Sequence, residues 1–260
     1  MNISLSHTRR RSRAVSSAHI VLALTISCLF SLFATNTFAQ QKHFSQKYQA
    51  RPNARLQLTN RFGTIIVESW DRDEIKVVAD MDSPIARFSP EKTDEGVTIN
   101  VVRDNQGRAD VGDVNFHIYV PVNSIVDVET KRGNITVRNV QGAMVRAYVT
   151  AEGNIELTGI RAASVIAQNT MGDILFDGEV AEGGKYEFKS TQGAMNLRLP
   201  ANSSFNLSAT SFSREIDLGP FTGSGLRFIG DRRKVVGDIG RGGGSLMVIN
   251  QRGRISLIGR

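Results

Sequence analysis

The stretch RGNITV at residues 132–137 returns along the chain in altered form. Its copies are FGTIIV (62–67), EGNIEL (152–157), MGDILF (171–176), QGAMNL (192–197) and RGRISL (252–257). The glycines from Gly133 to Gly193 are separated by 20, 19 and 21 residues, and a degenerate copy, SREIDL (213–218), has Arg214 in the glycine position. A fixed period near 20 residues indicates a protein built from stacked repeats.

Apolar residues occupy fixed positions on both sides of the repeated glycine. The residues two and four positions after it are apolar in every copy, and those five and seven positions before it are apolar except at Arg146. Apolar residues two apart are typical of strands with one buried face. Each repeat is therefore predicted to contain a strand, a tight turn and a second strand, with Tyr148 and Ile155 on the buried face.

The turn has a signature of its own. Three positions before the glycine, every copy has Asn, Ser or Thr, whose side chains bond nearby backbone and hold a turn. The glycine then supplies a left-handed backbone or a close approach to a neighbour. The predicted structural turn glycines are Gly63, Gly133, Gly153, Gly172, Gly193 and Gly253.

These repeats predict an all-β fold, a single parallel β-solenoid (β-helix) over residues 53–260 with coils of about 20 residues. One coil buries too few side chains to fold alone, whereas stacking pairs each strand with its equivalents above and below. Residues 81–121 break the period near the N-terminal end. Their strand-like segments EGVTINVV (95–102) and VNFHIYVPV (114–122) predict an inserted hairpin or, alternatively, a widened coil. Trp70 is expected in the core of a corner.

The N-terminus resembles a secretory signal peptide. Arg9, Arg10, Arg11 and Arg13 precede an apolar run from Ile20 to Ala34 and the small-residue site Thr37-Phe38-Ala39. We expect cleavage after Ala39, a lead-in over residues 40–52, and export to the periplasm or the cell surface. A membrane anchor is disfavoured because the apolar run is shorter than the roughly 20 residues that span a bilayer. Cys28, the only cysteine, lies inside the run, which disfavours a lipoprotein.

Basic residues are concentrated near the C-terminus. The formal net charge is +7, and loss of the four N-terminal arginines would lower it to +3. Residues 221–260 alone carry eight Lys or Arg and two Asp. Such an end can meet an anionic surface such as acidic lipid or lipopolysaccharide, and the candidate polyanion-binding residues are Arg232, Arg233 and Lys234. The alternative is that the charges protect an exposed sheet edge from aggregation.

The sequence holds little that resembles catalytic machinery. Glycoside hydrolysis needs two carboxylates about 5–9.5 Å apart, and Glu215 and Asp217 lie two residues apart on one predicted strand. The alternative is that both are solvated acids on a polar face. Beyond Ala39 the histidines are His43 and His117, and no Cys/His spacing typical of a zinc site occurs. We therefore expect no catalytic residue, no metal site and no cofactor.

The repeats, with ESWDRDEIKV (68–77) and VVGDIGRGGGSLMVINQRGRISL (235–257), resemble a bacterial exported putative-adhesin family. That family is a domain of unknown function with repeated NG-D/S-I-x-V coils, and the resemblance extends roughly from Phe44 to Leu257. Family members usually have Asn before the glycine. Here the position holds Phe62, Arg132, Glu152, Met171, Gln192 and Arg252. The resemblance implies surface attachment or scaffolding and transfers no catalytic residue.

We expect a non-catalytic exported repeat protein that acts as an adhesin, scaffold or binding module at the bacterial cell envelope. Its expected partner is an envelope or surface protein or polysaccharide, with a weak anionic-surface contact and no specific nucleic acid. One alternative is a polysaccharide-degrading β-helix enzyme that uses Glu215 and Asp217. Another is an accessory protein of envelope stress or signalling.

Overall fold

The computed structural model describes residues 42–223 and 225–260, so the predicted signal peptide lies outside the described residues. The regular secondary structure of the described chain is almost entirely β-strand, with one four-residue helix, α1 (Val101–Asp104). Its strands are β1 (Lys42–Gln49), β2 (Arg55–Thr59), β3 (Ile65–Trp70), β4 (Glu74–Met81), β5 (Glu91–Lys92), β6 (Gly96–Asn100), β7 (Val114–Pro121), β8 (Ile125–Arg132), β9 (Ile135–Arg138), β10 (Met144–Glu152), β11 (Ile155–Ile160), β12 (Ser164–Met171), β13 (Ile174–Gly178), β14 (Lys185–Gln192), β15 (Met195–Leu199), β16 (Phe205–Ser211), β17 (Ile216–Asp217), β18 (Arg227–Ile229), β19 (Lys234–Ile239), β20 (Gly244–Arg252) and β21 (Ile255–Gly259).

The strands form two sheets. Sheet 1 has ten strands in the order β1-β4-β7-β3-β9-β11-β13-β15-β21-β17. Sheet 2 has eleven, in the order β18-β19-β16-β20-β14-β12-β10-β8-β2-β6-β5. We call a strand of sheet 2 and the strand of sheet 1 that follows it in the chain a coil, such as β8/β9. Successive coils pair in parallel, and Ile155 lies opposite both Ile135 and Ile174. The result is a solenoid-like stack of parallel strands.

The core lies between the two sheets and follows the predicted columns. Ile135, Ile155 and Ile174 are at most 1% exposed, as are their partners four positions after the glycine, such as Leu157 and Phe176. Outward residues alternate with these buried ones along β11 and β13. The alternation arises because successive side chains of a strand point to opposite faces, so one strand supplies both core and surface.

The strand β10 departs from the predicted alignment. Tyr148 was expected inside but lies outside, half-buried. The buried residues of this strand are instead Val145, Ala147 and Val149. A register shift between Val149 and Glu152 inserts one extra residue before the glycine, which moves every buried position by one. Arg146 therefore faces outward, where its Nε donates to Asp127 at 2.6 Å, and its polarity no longer conflicts with the pattern.

The prediction of an inserted hairpin within residues 81–121 is wrong. Strand β6 joins sheet 2 beside β2, and β7 joins sheet 1 beside β3, so the two segments do not pair with each other. They form a coil whose corner is lengthened by α1 and the loop that follows it. The alternative interpretation, a widened coil, describes this arrangement.

The coils do not stack in chain order. From one end the order is β6/β7, β2/β3, β8/β9, β10/β11, β12/β13, β14/β15, β20/β21 and β16/β17. The coil β6/β7 lies outside the coil that precedes it in the chain. The last coil in the chain, β20/β21, lies between β14/β15 and β16/β17.

The glycine row gives a physical reason for the position of β6/β7 at one end. At Gly253, where φ is 141°, an added Cβ would overlap the carbonyl oxygen of Gly193 on the next coil. Two of the described coils lack this glycine. Because Ile65 pairs with Phe116, the position of the glycine is taken by Val114 in β6/β7. Because Ile216 pairs with Ile255, it is taken by Arg214 in β16/β17. Both coils without the glycine lie at an end of the stack. Each added Cβ would overlap the coil on the β6/β7 side, so Val114, in the first coil, has no coil there to crowd it. Arg214, at the opposite end, keeps a positive φ of 66° beside β20/β21.

Antiparallel strands close both ends. In sheet 1, β4 pairs antiparallel with β7, and β1 pairs antiparallel with β4. In sheet 2, β5 pairs antiparallel with β6 at the same end, whereas β19 and β18 extend the other end beyond β16. The described helices include none with the length and hydropathy needed to cross a membrane.

Candidate functional site

The six predicted turn glycines lie in one row along one corner of the stack. All have positive φ, from 106° at Gly63 to 149° at Gly153. The N–H groups of the first five bond along the stack, for example from Gly133 to the carbonyl of Glu152 at 2.9 Å. The backbones of neighbouring coils therefore approach each other closely at this corner.

A buried polar row supports the glycines from inside. It contains Asn60, Thr130, Asn169, Ser190, Ser211 and Asn250. Five of these side chains, all but Ser190, donate to the corner carbonyls, as Asn250 Nδ2 does to Gly193 at 2.8 Å and Asn169 Nδ2 to Gly172 at 2.7 Å. In coil β10/β11 the register shift puts Val149 in this row and leaves Thr150 exposed. The row stabilises the turn and is not accessible to a ligand.

An outer ladder of side chains, which the sequence did not reveal, lies beside the glycines. Asn134 Oδ1 accepts from the backbone N–H of Asn154 at 2.9 Å, and Asn154 Oδ1 accepts from that of Asp173 at 2.8 Å. Asp173 Oδ1 accepts from Ala194 at 2.7 Å. The ladder satisfies N–H groups that would otherwise face solvent. In the sequence, the ladder corresponds to an Asn or Asp directly after the glycine in three successive copies.

A shallow groove of about 480 Å³ runs along this corner across four coils. Its projecting side chains are those immediately before the glycines, namely Arg132, Glu152, Met171 and Gln192. All four are exposed, and Met171 is 44% exposed. With strands about 4.8 Å apart, the four side chains form a row about 14 Å long. The groove thus presents a cation, an anion, an apolar group and an amide in sequence.

The candidate carboxylates Glu215 and Asp217 lie on the last coil and are both exposed. Glu215 is 3.8 Å from Arg254 Nε, and Asp217 Oδ1 accepts from the Gly219 N–H at 3.0 Å. Each carboxylate therefore has a partner of its own. His43 pairs with Asp80 at 2.7 Å, and within the described ranges no group of His, Cys, Asp and Glu has a metal-binding arrangement.

A second surface cluster lies at the N-terminal end of sheet 1. Trp70 was expected in the core, but it is half-buried on the outer face, where its ring stacks on Tyr119 with centroids 5.1 Å apart. The His117 ring also stacks on Tyr119, with centroids 4.5 Å apart. The rings cover one another, so their faces are not a free platform for a sugar. The outward position of Trp70 follows from its spacing of three residues from the buried Val67.

Glu68 ties three coils together within this cluster. Arg138 Nη1 donates to Glu68 Oε1 at 2.8 Å, and His117 Nε2 lies 3.0 Å from Glu68 Oε2. The hydrogen bonds from Arg138 and then His117 hold the pKa of Glu68 below its ordinary value. The cluster is thus an ion-pair network that joins β7, β3 and β9.

The predicted basic residues Arg232, Arg233 and Lys234 lie in and beside the turn between β18 and β19, and all three are exposed. The guanidinium of Arg232 lies 5.0 Å from the ring centroid of Phe228. The structure therefore brings the three basic side chains together with an exposed apolar residue.

Three comparisons with known proteins bear on the chain. Residues 97–224 match the family model described as Toastrack DUF4097. No curated protein matches the chain.

The solved structures that match the chain have low identity to it. A putative cell adhesion protein from Clostridium sporogenes is 12% identical, with 85% of this chain and 98% of that chain covered and a TM-score of 0.44. A putative adhesin from Bacteroides fragilis is 9% identical, with 85% and 99% covered and a TM-score of 0.34. A putative adhesin from Parabacteroides distasonis is 12% identical, with 85% and 98% covered and a TM-score of 0.25.

Proposed function

The chain belongs to the Toastrack DUF4097 family, a domain of unknown function among bacterial putative adhesins, and from this premise we propose that it is a non-catalytic binding module of the cell envelope. In this proposal the chain is exported, its coils form one continuous solenoid, and it recognises an extended partner through the groove beside the glycine row. The partner is a segment of surface protein or polysaccharide.

The groove is the observation that carries this proposal. Four successive coils each place one exposed side chain in the same row, and the four differ in charge and polarity. An extended polymer that lies along the row can meet one such side chain about every 4.8 Å. A row of unlike groups distinguishes partners better than a row of identical ones, because each position can favour or repel a group.

Rigidity supports recognition at this row. The corner backbones are joined by N–H to carbonyl bonds of about 2.8–3.0 Å from coil to coil, such as Gly153 to Met171 and Gly193 to Arg252. The outer ladder of Asn134, Asn154 and Asp173 adds further links beside them. A preorganised surface loses less conformational entropy on binding, which favours affinity.

A pull-down from the native envelope fraction tests the proposal. The bait is the chain itself, compared with R132A/E152A/M171A, which removes three of the projecting groups of the groove. The matched control is R198A/E95A/V102A, which removes an exposed cation, anion and apolar side chain elsewhere. We expect the groove variant to recover at least about tenfold less of the partner, as for loss of a binding hot spot, and the control to recover it fully.

Equal recovery by the groove variant would contradict a role for the groove. Release of new reducing ends from an envelope polysaccharide, abolished by E215Q/D217N, would favour the alternative of a degrading enzyme. Sequencing the N-terminus of the protein from the envelope fraction tests export, with Gln40 expected as the first residue.

A further inference from the structure

The two sheets end unequally at the C-terminal end of the stack. Sheet 1 ends at the two-residue strand β17, whereas sheet 2 continues past β16 with β19 and then β18. Across neighbouring strands of sheet 2, Phe228 pairs with Val235, and Val235 pairs with Ala209. Val235 and Ala209 are fully buried, but Phe228 is 47% exposed. The buried residues of sheet 2 thus continue into an apolar side chain, Phe228, that sheet 1 does not cover.

Three large apolar side chains are exposed around this hairpin. Phe212 is 56% exposed, Phe228 47% and Ile229 49%. Phe228 and Ile229 are consecutive in a strand, so they point to opposite faces of the hairpin. Exposed apolar groups at one place on a protein surface mark contact with another protein or with a membrane.

The charges around these residues are almost all of one sign. Arg227, Arg232, Arg233 and Lys234 are exposed, and none forms an ion pair with any residue that the structure describes. The acid at the tip, Asp231, is paired with Arg214 at 2.8 Å. The surface therefore carries four uncompensated positive charges, which complements an anionic partner.

The hairpin tip is fixed to the body of the stack. Asp231 and Arg232 have φ of 57° and 63°, which closes the turn, and the Arg233 N–H donates to Gly230 at 3.2 Å. The Ser211 N–H, at the end of β16, donates to the carbonyl of Arg233 at 2.8 Å. The basic and apolar side chains are thus held in a stable arrangement at the end of the stack.

We propose that the β18–β19 hairpin, residues 227–239, docks this end of the stack onto an anionic lipid surface. The outermost strand β18 meets the surface edge-on, so that Phe228 on one face and Ile229 on the other both enter the headgroup region. Arg227, Arg232, Arg233 and Lys234 contact lipid phosphates. Apolar groups beside a cluster of basic residues fit a bilayer surface better than a soluble polyanion, which offers no apolar layer. The hairpin is separate from the groove, so this inference goes beyond the proposed function and does not depend on it.

Cosedimentation with vesicles tests the proposal. The vesicles contain equal parts phosphatidylglycerol and phosphatidylcholine, or phosphatidylcholine alone. Every variant is the full chain purified from the same host, so that its N-terminal form is common to all. The charge variant is R232E/R233E/K234E and the apolar variant is F228S/I229S. The control, K92E/K185E/R198E, changes the net charge equally at three exposed basic residues on the body of the stack.

We expect the unsubstituted chain to bind the anionic vesicles and to bind phosphatidylcholine vesicles far more weakly. Each basic residue near an anionic surface contributes roughly fivefold to partitioning, so the charge variant should bind on the order of a hundredfold less. The control should bind nearly normally. The apolar variant should bind more weakly and should lose the binding that the unsubstituted chain retains at 1 M salt, where charges are screened over about 3 Å.

Three outcomes would overturn the proposal. Equal loss in the control and the charge variant would show a general charge effect. Retention on heparin without vesicle binding would assign the basic cluster to soluble polyanions. A concentration-dependent dimer in sedimentation velocity that F228S/I229S abolishes would assign the edge strand β18 to pairing between two copies.

Discussion

The middle of the stack and its two ends are built differently. Between β2/β3 and β20/β21, every coil has a glycine at the same corner and pairs in parallel on both sides. At the ends the glycine is replaced by Val114 or Arg214, and the closing strands run antiparallel. A middle coil must match two neighbours at every position, whereas an end coil must match one. Surface features that differ from the repeat, such as the basic hairpin, are accordingly found at an end.

The largest difference between these regions should appear on placing a charge at an isoleucine. Ile155 is 1% exposed in the middle and Ile229 is 49% exposed at the end. Ile155→Asp buries a carboxylate without a partner, and we expect the protein not to fold or to aggregate. Ile229→Asp should change the free energy of unfolding by less than about 0.5 kcal/mol. Chemical denaturation of both variants checks this, and equal tolerance would contradict the assignment of the two faces.

Alanine at a left-handed glycine should give the next largest difference. Gly153 has φ of 149°, and its Cβ would overlap the carbonyl of Gly133, whereas Gly230, with φ of 63°, has open space around it. We expect Gly153→Ala to cost about 2–4 kcal/mol, since strain and overlap add. Gly230→Ala should cost only about 1 kcal/mol, the ordinary penalty of that backbone. Thermal and urea unfolding of the pair measures the difference. Equal costs for the two variants would show that the close contact between Gly153 and the neighbouring coil does not constrain the stacking.

A smaller loss of stability is expected when an asparagine side chain is replaced by alanine. Asn250 is fully buried, and its Nδ2 donates to Gly193 at 2.8 Å and to Arg254 at 3.4 Å. Asn250→Ala leaves those carbonyls with fewer donors and should cost about 1–3 kcal/mol. Asn206, exposed at the end of the stack, bonds Asp238, and Asn206→Ala should cost less than about 0.5 kcal/mol. A cost at Asn206 as large as that at Asn250 would show that burial does not separate the two amides.

The smallest effect concerns the pH dependence of stability. Hydrogen bonds from Arg138 and His117 lower the pKa of Glu68 from its ordinary 4.5. A carboxylate with a lowered pKa in the folded state stabilises the protein above its ordinary pKa, and that stability is lost as the pH falls through the lowered value. When the pH falls from about 5 to about 3, the free energy of unfolding of the Glu68→Gln variant should therefore decrease less than that of the unsubstituted chain. Denaturation midpoints at several pH values measure this, and parallel curves would contradict it.

Much of the middle could be predicted from the sequence because each coil repeats the same local requirements. The positions two and four residues after the glycine, which include Ile135, Ile155 and Ile174, are buried as expected. The prediction was wrong at Tyr148, because a single extra residue before the glycine shifts the register without changing the local pattern. It was also wrong at Trp70, where the alternation from Val67 indicates an outward side chain. The groove was missed because its side chains share a position but no residue type.

The sequence by itself determined the all-β class, the period and the buried columns, since these depend on the alternation of side chains within one strand and on turn residues within one corner. It did not determine which coil lies beside which. The tertiary structure decided that β6/β7 lies outside β2/β3 and that β20/β21 lies between β14/β15 and β16/β17. The reason is that adjacency depends on contacts between residues distant in the chain, such as Gly253 against Gly193. The exposed hairpin follows from the same cause, because only the finished order of coils leaves sheet 2 longer than sheet 1.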